Sequence, residues 1–169
     1  MNKQAGYTLI ELLLVISLLS LAVGVSTDII LTLVRSYTKT QVTNEIEQNS
    51  NFVFLKLEKE LRNAQTVSSV SANSISFQDS TGATITYAIV SAGSGILTIQ
   101  RNGSTLTNTD SVNGVTITCT GSASSCFLQV GASPTVIEID MSFKQVNSPG
   151  AAFTGSVDLN DTIVVRGTY

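Results

Sequence analysis

The chain has 169 residues, with nine Lys and Arg against twelve Asp and Glu, a formal net charge of −3 and no histidine. Charged residues make up 12 %, about half the share usual in a soluble domain, and the mean hydropathy is +0.29. Without histidine the chain lacks the commonest general base and zinc ligand. From composition and charge together we expect no catalytic residues, no cofactor, no metal site and no nucleic-acid partner.

The first predicted element is an apolar segment near the N-terminus. Between Leu12 and Val25 no residue is charged, and only serine and glycine interrupt the aliphatic run. As a helix, residues 7–27 span about 30 Å, which is enough to cross the hydrocarbon core of a bilayer. Glu11 lies beside this run, and a carboxylate that is expensive to bury in lipid marks a candidate functional residue.

Three interpretations of this segment are open. A secretory signal peptide could be cut at the small residues 22–24, although Glu11 in the apolar region and the helical pattern beyond Gly24 disfavour it. In a plain signal anchor, Glu11 would be incidental and would extend to the membrane interface. The third interpretation rests on a specific run of residues.

Residues 6–15 read Gly-Tyr-Thr-Leu-Ile-Glu-Leu-Leu-Leu-Val. This run closely resembles the class III signal of type IV prepilins and pseudopilins, in which a prepilin peptidase cuts after the Gly of a short leader. The resemblance implies cleavage between Gly6 and Tyr7 and N-methylation of Tyr7, where the family usually has Phe. Glu11 falls on the family's characteristic fifth mature position, which implies a role in filament assembly.

Elementary electrostatics is consistent with the resemblance. Cleavage would place the Tyr7 ammonium four residues before Glu11, on the same helix face. The resemblance implies that in a filament the ammonium of one subunit pairs with Glu11 of a neighbour. Such a pair in low dielectric specifies register more reliably than it adds stability. Lys3 precedes the apolar run, which by the positive-inside rule favours a cytoplasmic N-terminus and a C-terminal part outside the cytoplasm. The resemblance implies that the single span lies in the cytoplasmic (inner) membrane.

The helix is predicted to continue beyond the membrane. The stretch 28–63 contains no Gly or Pro, which favours one helix over residues 7–65, roughly 85–90 Å long. Two helices with a break near Asp28 or residues 49–51 are the alternative.

A buried stripe is predicted along the second half of this helix. Its apolar members recur at helical spacing: Val42, Ile46, Val53, Leu57, Leu61 and Ala64. Glu58 and Arg62 are well ordered for an i,i+4 pair, whereas Lys56 and Glu60 have the less favourable order.

Residues 66–169 are predicted to form a β-rich head. Asn102-Gly103 is a strong hairpin signal. Asp158-Leu159-Asn160-Asp161 offers oxygens to Ca²⁺ but matches no EF-hand loop, and it is predicted to be an ordinary polar turn. Seven runs alternate apolar with polar residues and predict strands: 74–77, 84–89, 96–100, 115–118, 127–130, 136–141 and 162–165.

The two cysteines lie close together in this region. Cys119 and Cys126 are predicted to form a disulfide if the head lies outside the cytoplasm, and the eight-residue loop would contribute about 2.5 kcal/mol in the chain-entropy model. Two free thiols in a reducing setting are the alternative. A redox motif is disfavoured, since the C-x-x-C spacing is absent.

These observations predict an α+β fold of the type IV pilin kind, with a long N-terminal helix packed on an antiparallel sheet. The expected division is a cleaved leader (1–6), a helix (7–65) whose membrane segment is about 7–27, and an extracytoplasmic head (66–169).

The resemblance implies a structural, non-enzymatic subunit of a type IV pilus, or of a type II secretion or competence pseudopilus. The implied partners are a prepilin peptidase, other pilin or pseudopilin subunits, an inner-membrane assembly platform and the lipid bilayer. The order of the predicted strands looks like that of J-type minor pseudopilins and related minor pilins. A major pilin of the same system and a membrane-anchored surface binding module are the alternatives.

Overall fold

The structure is a computed structural model that describes residues 8–111, 114–146 and 155–168. The chain divides by its contacts into two compact units, residues 1–38 and residues 39–169. The helix α1 (Leu9–Arg62) contains residues of both units. Neither Asp28 nor residues 49–51 interrupt α1, so the prediction of one continuous helix is confirmed and the two-helix alternative is wrong.

Nine strands occur in the described part of the second unit, and they form two antiparallel sheets. The first sheet has the order β1 (Thr66–Ser71), β2 (Ser74–Gln78), β3 (Thr84–Gly93), β4 (Ile96–Arg101) and β5 (Ser104–Thr105). The second sheet contains β6 (Val115–Cys119), β7 (Phe127–Ala132), β8 (Thr135–Gln145) and β9 (Ser156–Val164). β8 is its central strand and pairs with the other three.

The predicted helix stripe forms one wall of the core. Ile46, Val53, Leu57, Leu61 and Ala64 are all buried among residues of both sheets, and Val42 packs at the edge of the cluster. Ser50 lies within the same stripe, 2 % exposed, with its hydroxyl donating to the Glu47 carbonyl oxygen at 3.1 Å. The amphipathic half of the helix is therefore held by apolar burial, which contributes about 1.5–3 kcal/mol for each large side chain.

Each of the seven predicted strands overlaps an observed strand. The Asn102-Gly103 hairpin is also confirmed, because both residues have positive φ, at 48° and 83°, as a two-residue primed turn requires. Asn102 additionally fastens the turn to β3, since its backbone N–H donates to the Thr86 carbonyl oxygen and its side-chain oxygen accepts from the Thr86 N–H, both at 2.8 Å.

The prediction of a polar turn at residues 158–161 is wrong, because this segment lies inside β9. β8 is long enough to pair with β9 from Val136–Val164 to Lys144–Ser156. Pairing along a continuous ladder satisfies the backbone of this polar segment, which a turn would leave to water. Tertiary pairing therefore overrides the local composition.

Candidate functional site

The described part of the first unit presents an uncovered apolar helix. Its side chains from Leu9 to Val34 are exposed, and by length and composition α1 is long and apolar enough to cross a membrane. The hydroxyl groups in this stretch are satisfied within the helix: the Ser17 hydroxyl donates to the Leu14 carbonyl and the Ser26 hydroxyl to the Ala22 carbonyl, both at 2.8 Å. The surface that remains is suited to lipid or to other helices.

Glu11 lies in the first turn of α1. Its backbone N–H donates to the Thr8 carbonyl oxygen at 3.1 Å, and its side chain projects from the helix without a hydrogen bond or ion pair to the rest of the described chain. A carboxylate here interacts favourably with the positive end of the helix dipole. Gly6 and Tyr7 lie outside the described residues, so the cleavage and methylation at these positions stay predictions, as does the assembly role of Glu11.

A polar cluster fastens α1 to the first sheet in the second unit. The Glu60 carboxylate accepts hydrogen bonds from the Tyr87 hydroxyl at 2.8 Å and from Arg101 Nε at 2.9 and 3.1 Å. Tyr87 and Arg101 are directly paired across β3 and β4, which places their side chains on one face of the sheet. Helix and sheet are thus joined by a charged pair and a buried hydroxyl.

The cluster perturbs the ionisation of two of its members. Burial, together with the hydrogen bond to Glu60 and the charge of that carboxylate, raises the pKa of the Tyr87 hydroxyl well above its usual range. The hydrogen bond to Glu60 likewise raises the pKa of Arg101. Tyr87 therefore acts as a permanent donor and Arg101 as a permanent cation at physiological pH.

Sequence reasoning missed this cluster. It considered Glu60 as the partner of Lys56, but the Lys56 ammonium lies over the Phe52 ring, 5.6 Å from its centroid. The predicted Glu58–Arg62 pair is present, with 2.8 Å between Oε1 and Nε. The feature that could have indicated the cluster is a tyrosine at an inward-facing position of β3, opposite a charged residue on the neighbouring strand.

Cys119 and Cys126 are joined by a disulfide, with 4.5 Å between their Cα atoms. The loop that this disulfide closes is hydrogen-bonded to the first sheet, because the Cys126 N–H donates to the Ala72 carbonyl oxygen at 2.7 Å. Glycine is required within the loop at Gly121, since a Cβ atom there would lie 2.6 Å from the Ser125 carbonyl oxygen. The bridge therefore closes a compact corner between the two sheets.

The described residues contain no group of three or more His, Cys, Asp or Glu side chains placed to hold a metal ion. Asp158 and Asp161 pair with Ser142 and Ile139 of β8, and strand alternation puts side chains three positions apart on opposite faces. They therefore cannot chelate one ion together. A groove of about 370 Å³ lies beside the disulfide loop, lined by residues of β1, β7 and the loop, and it brings together no nucleophile with a base.

The profile of the prokaryotic N-terminal methylation motif matches residues 1–27. Comparison with curated proteins and with solved structures gives no significant match. The match covers the segment that includes Gly6, Tyr7 and Glu11, and it supports the type IV pilin and pseudopilin family. The motif implies processing by a prepilin peptidase and assembly with other pilin subunits, and together with the apolar helix it fits anchoring in a membrane.

Proposed function

We propose that this chain is a non-enzymatic structural subunit of a type IV filament system, either a pilus or a type II secretion or competence pseudopilus. The observation that carries the proposal is the methylation motif at residues 1–27, which includes the first part of an exposed apolar helix in an α+β chain. In this proposal, residues 1–6 are a leader, α1 inserts into the inner membrane, and the head lies outside the cytoplasm.

Each part of the N-terminal segment has a distinct role in this proposal. A prepilin peptidase cuts between Gly6 and Tyr7 and frees the amine that becomes methylated. The Tyr7 ammonium then pairs with Glu11 of a neighbouring subunit, which neutralises a carboxylate that is costly in lipid. The apolar surface of α1 packs against other subunits once the assembly platform has moved the chain out of the bilayer.

We further propose that the chain is a minor subunit, similar to the J-type pseudopilins, that acts in initiation or at the tip. Only the order of the strand-forming segments supports this assignment. A major pilin is the nearest alternative. A surface binding module held by an ordinary anchor is a different class of protein, and the processing experiment distinguishes it.

The test of processing is co-expression of the full chain with a prepilin peptidase, followed by intact-mass analysis. We expect loss of residues 1–6, and no loss from a matched Gly6→Leu variant, because the resemblance places a Gly directly before the cut. A chain that retains Met1 in the presence of an active peptidase would falsify the pilin proposal and favour the anchored binding module.

The test of assembly compares Glu11→Ala, Glu11→Gln and Glu11→Asp. We expect all three to insert into the membrane, because removing or keeping one carboxylate does not shorten the apolar segment. Glu11→Ala and Glu11→Gln should be strongly reduced in sheared filament or pseudopilus fractions, whereas Glu11→Asp should retain part of the signal. Normal incorporation of Glu11→Ala contradicts the assigned role.

A further inference from the structure

The groove beside the disulfide loop lies between the outer edges of two strands, β1 and β7. Its volume is about 370 Å³, and none of the described residues that line it is charged. In the described part of the chain, β1 pairs only with β2 and β7 pairs only with β8. Each of the two strands therefore has an unpaired edge, and such an edge is a template for a further strand.

The backbone of β7 offers hydrogen-bonding groups to this groove. The Phe127 N–H points towards the first sheet, since it donates to the Ala72 carbonyl oxygen at 3.3 Å. Alternate residues direct their backbone groups to the same edge of a strand, so the N–H and C=O of Gln129 also point into the groove. Among the described residues, the backbone of Gln129 makes no hydrogen bond to β1. An extended chain that enters the groove can pair with it.

The strands that flank the groove lack the charges that usually protect an exposed edge. β1 reads Thr-Val-Ser-Ser-Val-Ser and β7 reads Phe-Leu-Gln-Val-Gly-Ala, whereas the outer strand β9 carries Asp158 and Asp161. Three large apolar side chains are exposed among the described residues of 66–169, and β7 contributes two of them, Leu128 at 37 % and Val130 at 53 %. Aliphatic surface beside an uncharged edge favours a partner over water.

We propose that this groove is a docking site for an extended, uncharged segment of another polypeptide, which adds to the edge of β7 as a further strand. The repeating amides of an extended chain match unpaired backbone groups, and this pairing supplies the affinity in β-strand addition. Glu138 is directly paired with Leu128, which places its carboxylate on the same face. A segment rich in Asp or Glu is therefore repelled.

The shape of the groove favours one free segment over a second folded copy. Its opposite wall is formed by the end of β1 and by the disulfide loop, so the edge of β7 is flanked on both sides. The Ala72 carbonyl also accepts from the Cys126 N–H at 2.7 Å, and Cys126 is held by its disulfide to Cys119. These links fix one end of the groove in advance, which lowers the cost of ordering it on binding.

The test measures binding of a synthetic strand to the full chain in detergent micelles. The probe is an acetylated and amidated peptide in which Ser and Val alternate over seven residues. Nitrogen-15 NMR should show saturable shifts at backbone amides of β7 and β1. A matched peptide that is N-methylated at every valine should bind about tenfold more weakly, because one of its edges can no longer donate hydrogen bonds.

Two pairs of variants locate the site. Leu128→Glu should weaken binding about tenfold, because it removes an apolar contact and adds a carboxylate beside Glu138, whereas Leu97→Glu, at an equally exposed leucine of β4, should not. Gln129→Pro removes the N–H that faces the groove, at an edge position where proline is tolerated, and should also weaken binding about tenfold. Gln129→Ala loses the same side chain but keeps the N–H, and it should bind as the unaltered chain does.

Four outcomes overturn the proposal: no saturable shift, equal binding of the N-methylated peptide, an equal loss from Leu97→Glu, and shifts at β9 instead of β7. A dimer that forms without the probe and is lost in Leu128→Glu would assign the edge to a second copy, and it overturns the proposal as well. If Gln129→Pro does not fold, the N-methylated peptide decides, because it alters only the probe.

The docking site lies within the second unit and does not depend on cleavage after Gly6 or on Glu11. A chain that binds the probe but is not cut by a prepilin peptidase contradicts the proposed function alone. A chain that is cut but does not bind the probe contradicts the docking site alone.

Discussion

The Glu60 carboxylate should contribute measurably to the stability of the second unit. Glu60→Ala leaves the Tyr87 hydroxyl, on a residue that is 0 % exposed, without its acceptor, and an orphaned buried hydroxyl costs about 1–3 kcal/mol. The lost ion pair adds little, because the side chains of Arg101 and Glu60 are 30 % and 21 % exposed and solvent screens them to about 0.5 kcal/mol. We expect a total destabilisation of about 2 kcal/mol.

Thermal unfolding of the full chain in detergent micelles, followed by near-ultraviolet circular dichroism of tyrosine, measures this loss. For a unit spanning residues 39–169, 2 kcal/mol corresponds to a fall in Tm of about 7 °C. Glu60→Gln should lose less, about 1 kcal/mol, because the amide oxygen still accepts from Tyr87. The matched control Glu58→Ala removes only the surface pair with Arg62 and should cost about 0.5 kcal/mol or less.

A double-mutant cycle tests the stated cause. In a Tyr87→Phe background there is no hydroxyl that Glu60→Ala could leave without an acceptor. Glu60→Ala should therefore lower the free energy of unfolding by at least about 1 kcal/mol less than it does in the unaltered chain. Equal costs in the two backgrounds would refute the reasoning, as would a cost for Glu60→Ala no greater than that of Glu58→Ala.

The raised pKa of Tyr87 gives the same cluster a pH signature. Its ordinary value is 10.0; below that pH both states keep the proton and the contribution to stability is fully present. Above it the unfolded chain ionises first, so stability should fall by about 1.4 kcal/mol per pH unit from this one group. Urea unfolding between pH 9 and 11 should show a shallower fall for Tyr87→Phe, and an unchanged slope would contradict the assignment.

Three further predictions concern the packing, the disulfide and a turn of the second unit. Leu57→Ala should cost about 2–5 kcal/mol, whereas Leu55→Ala, at an exposed position of the same helix, should cost less than about 0.5 kcal/mol; similar losses in urea unfolding would contradict the helix stripe. Reducing Cys119–Cys126 should lower the free energy of unfolding by about 2.5 kcal/mol, seen as a lower urea midpoint, and an unchanged midpoint would contradict this. The pKa of Asp79 is lowered, chiefly because the Thr81 hydroxyl donates a hydrogen bond to the carboxylate at 2.6 Å, with a further hydrogen bond from the Thr81 N–H. Thr81→Val should therefore raise the pKa of Asp79 towards its ordinary value in a carboxyl NMR titration. An unchanged pKa would refute the contact.

Local patterns in the sequence account for much of this molecule. The spacing of Ile46, Val53, Leu57 and Leu61 predicted which helix face is buried, because helical periodicity is carried by the chain itself. The alternating runs predicted strands for the same reason. The segment that includes Gly6 and Glu11 could also be recognised without a fold, since the methylation motif that it matches is a linear sequence pattern.

Other features depended on partners far away in the chain. Glu60 bonds Tyr87 and Arg101, which are 27 and 41 positions away, and no local pattern indicates that it prefers them to Lys56. β1 escaped prediction because its side chains are half-buried at most, so it lacks a clear apolar alternation. The first part of β9 escaped because its polar composition is typical of a turn.

The sequence by itself therefore determined the apolar helix, the segment that matches the methylation motif, and most strand positions, because each depends on the order and spacing of neighbouring residues. Only the tertiary structure decided that Asp158 and Asp161 lie on opposite faces of β9, that Glu60 joins helix to sheet, and that the disulfide closes a corner between two sheets. These features depend on backbone pairing and burial between segments that are distant in the sequence. The cost of desolvating polar groups and the gain from their new contacts arise only when folding brings those segments together.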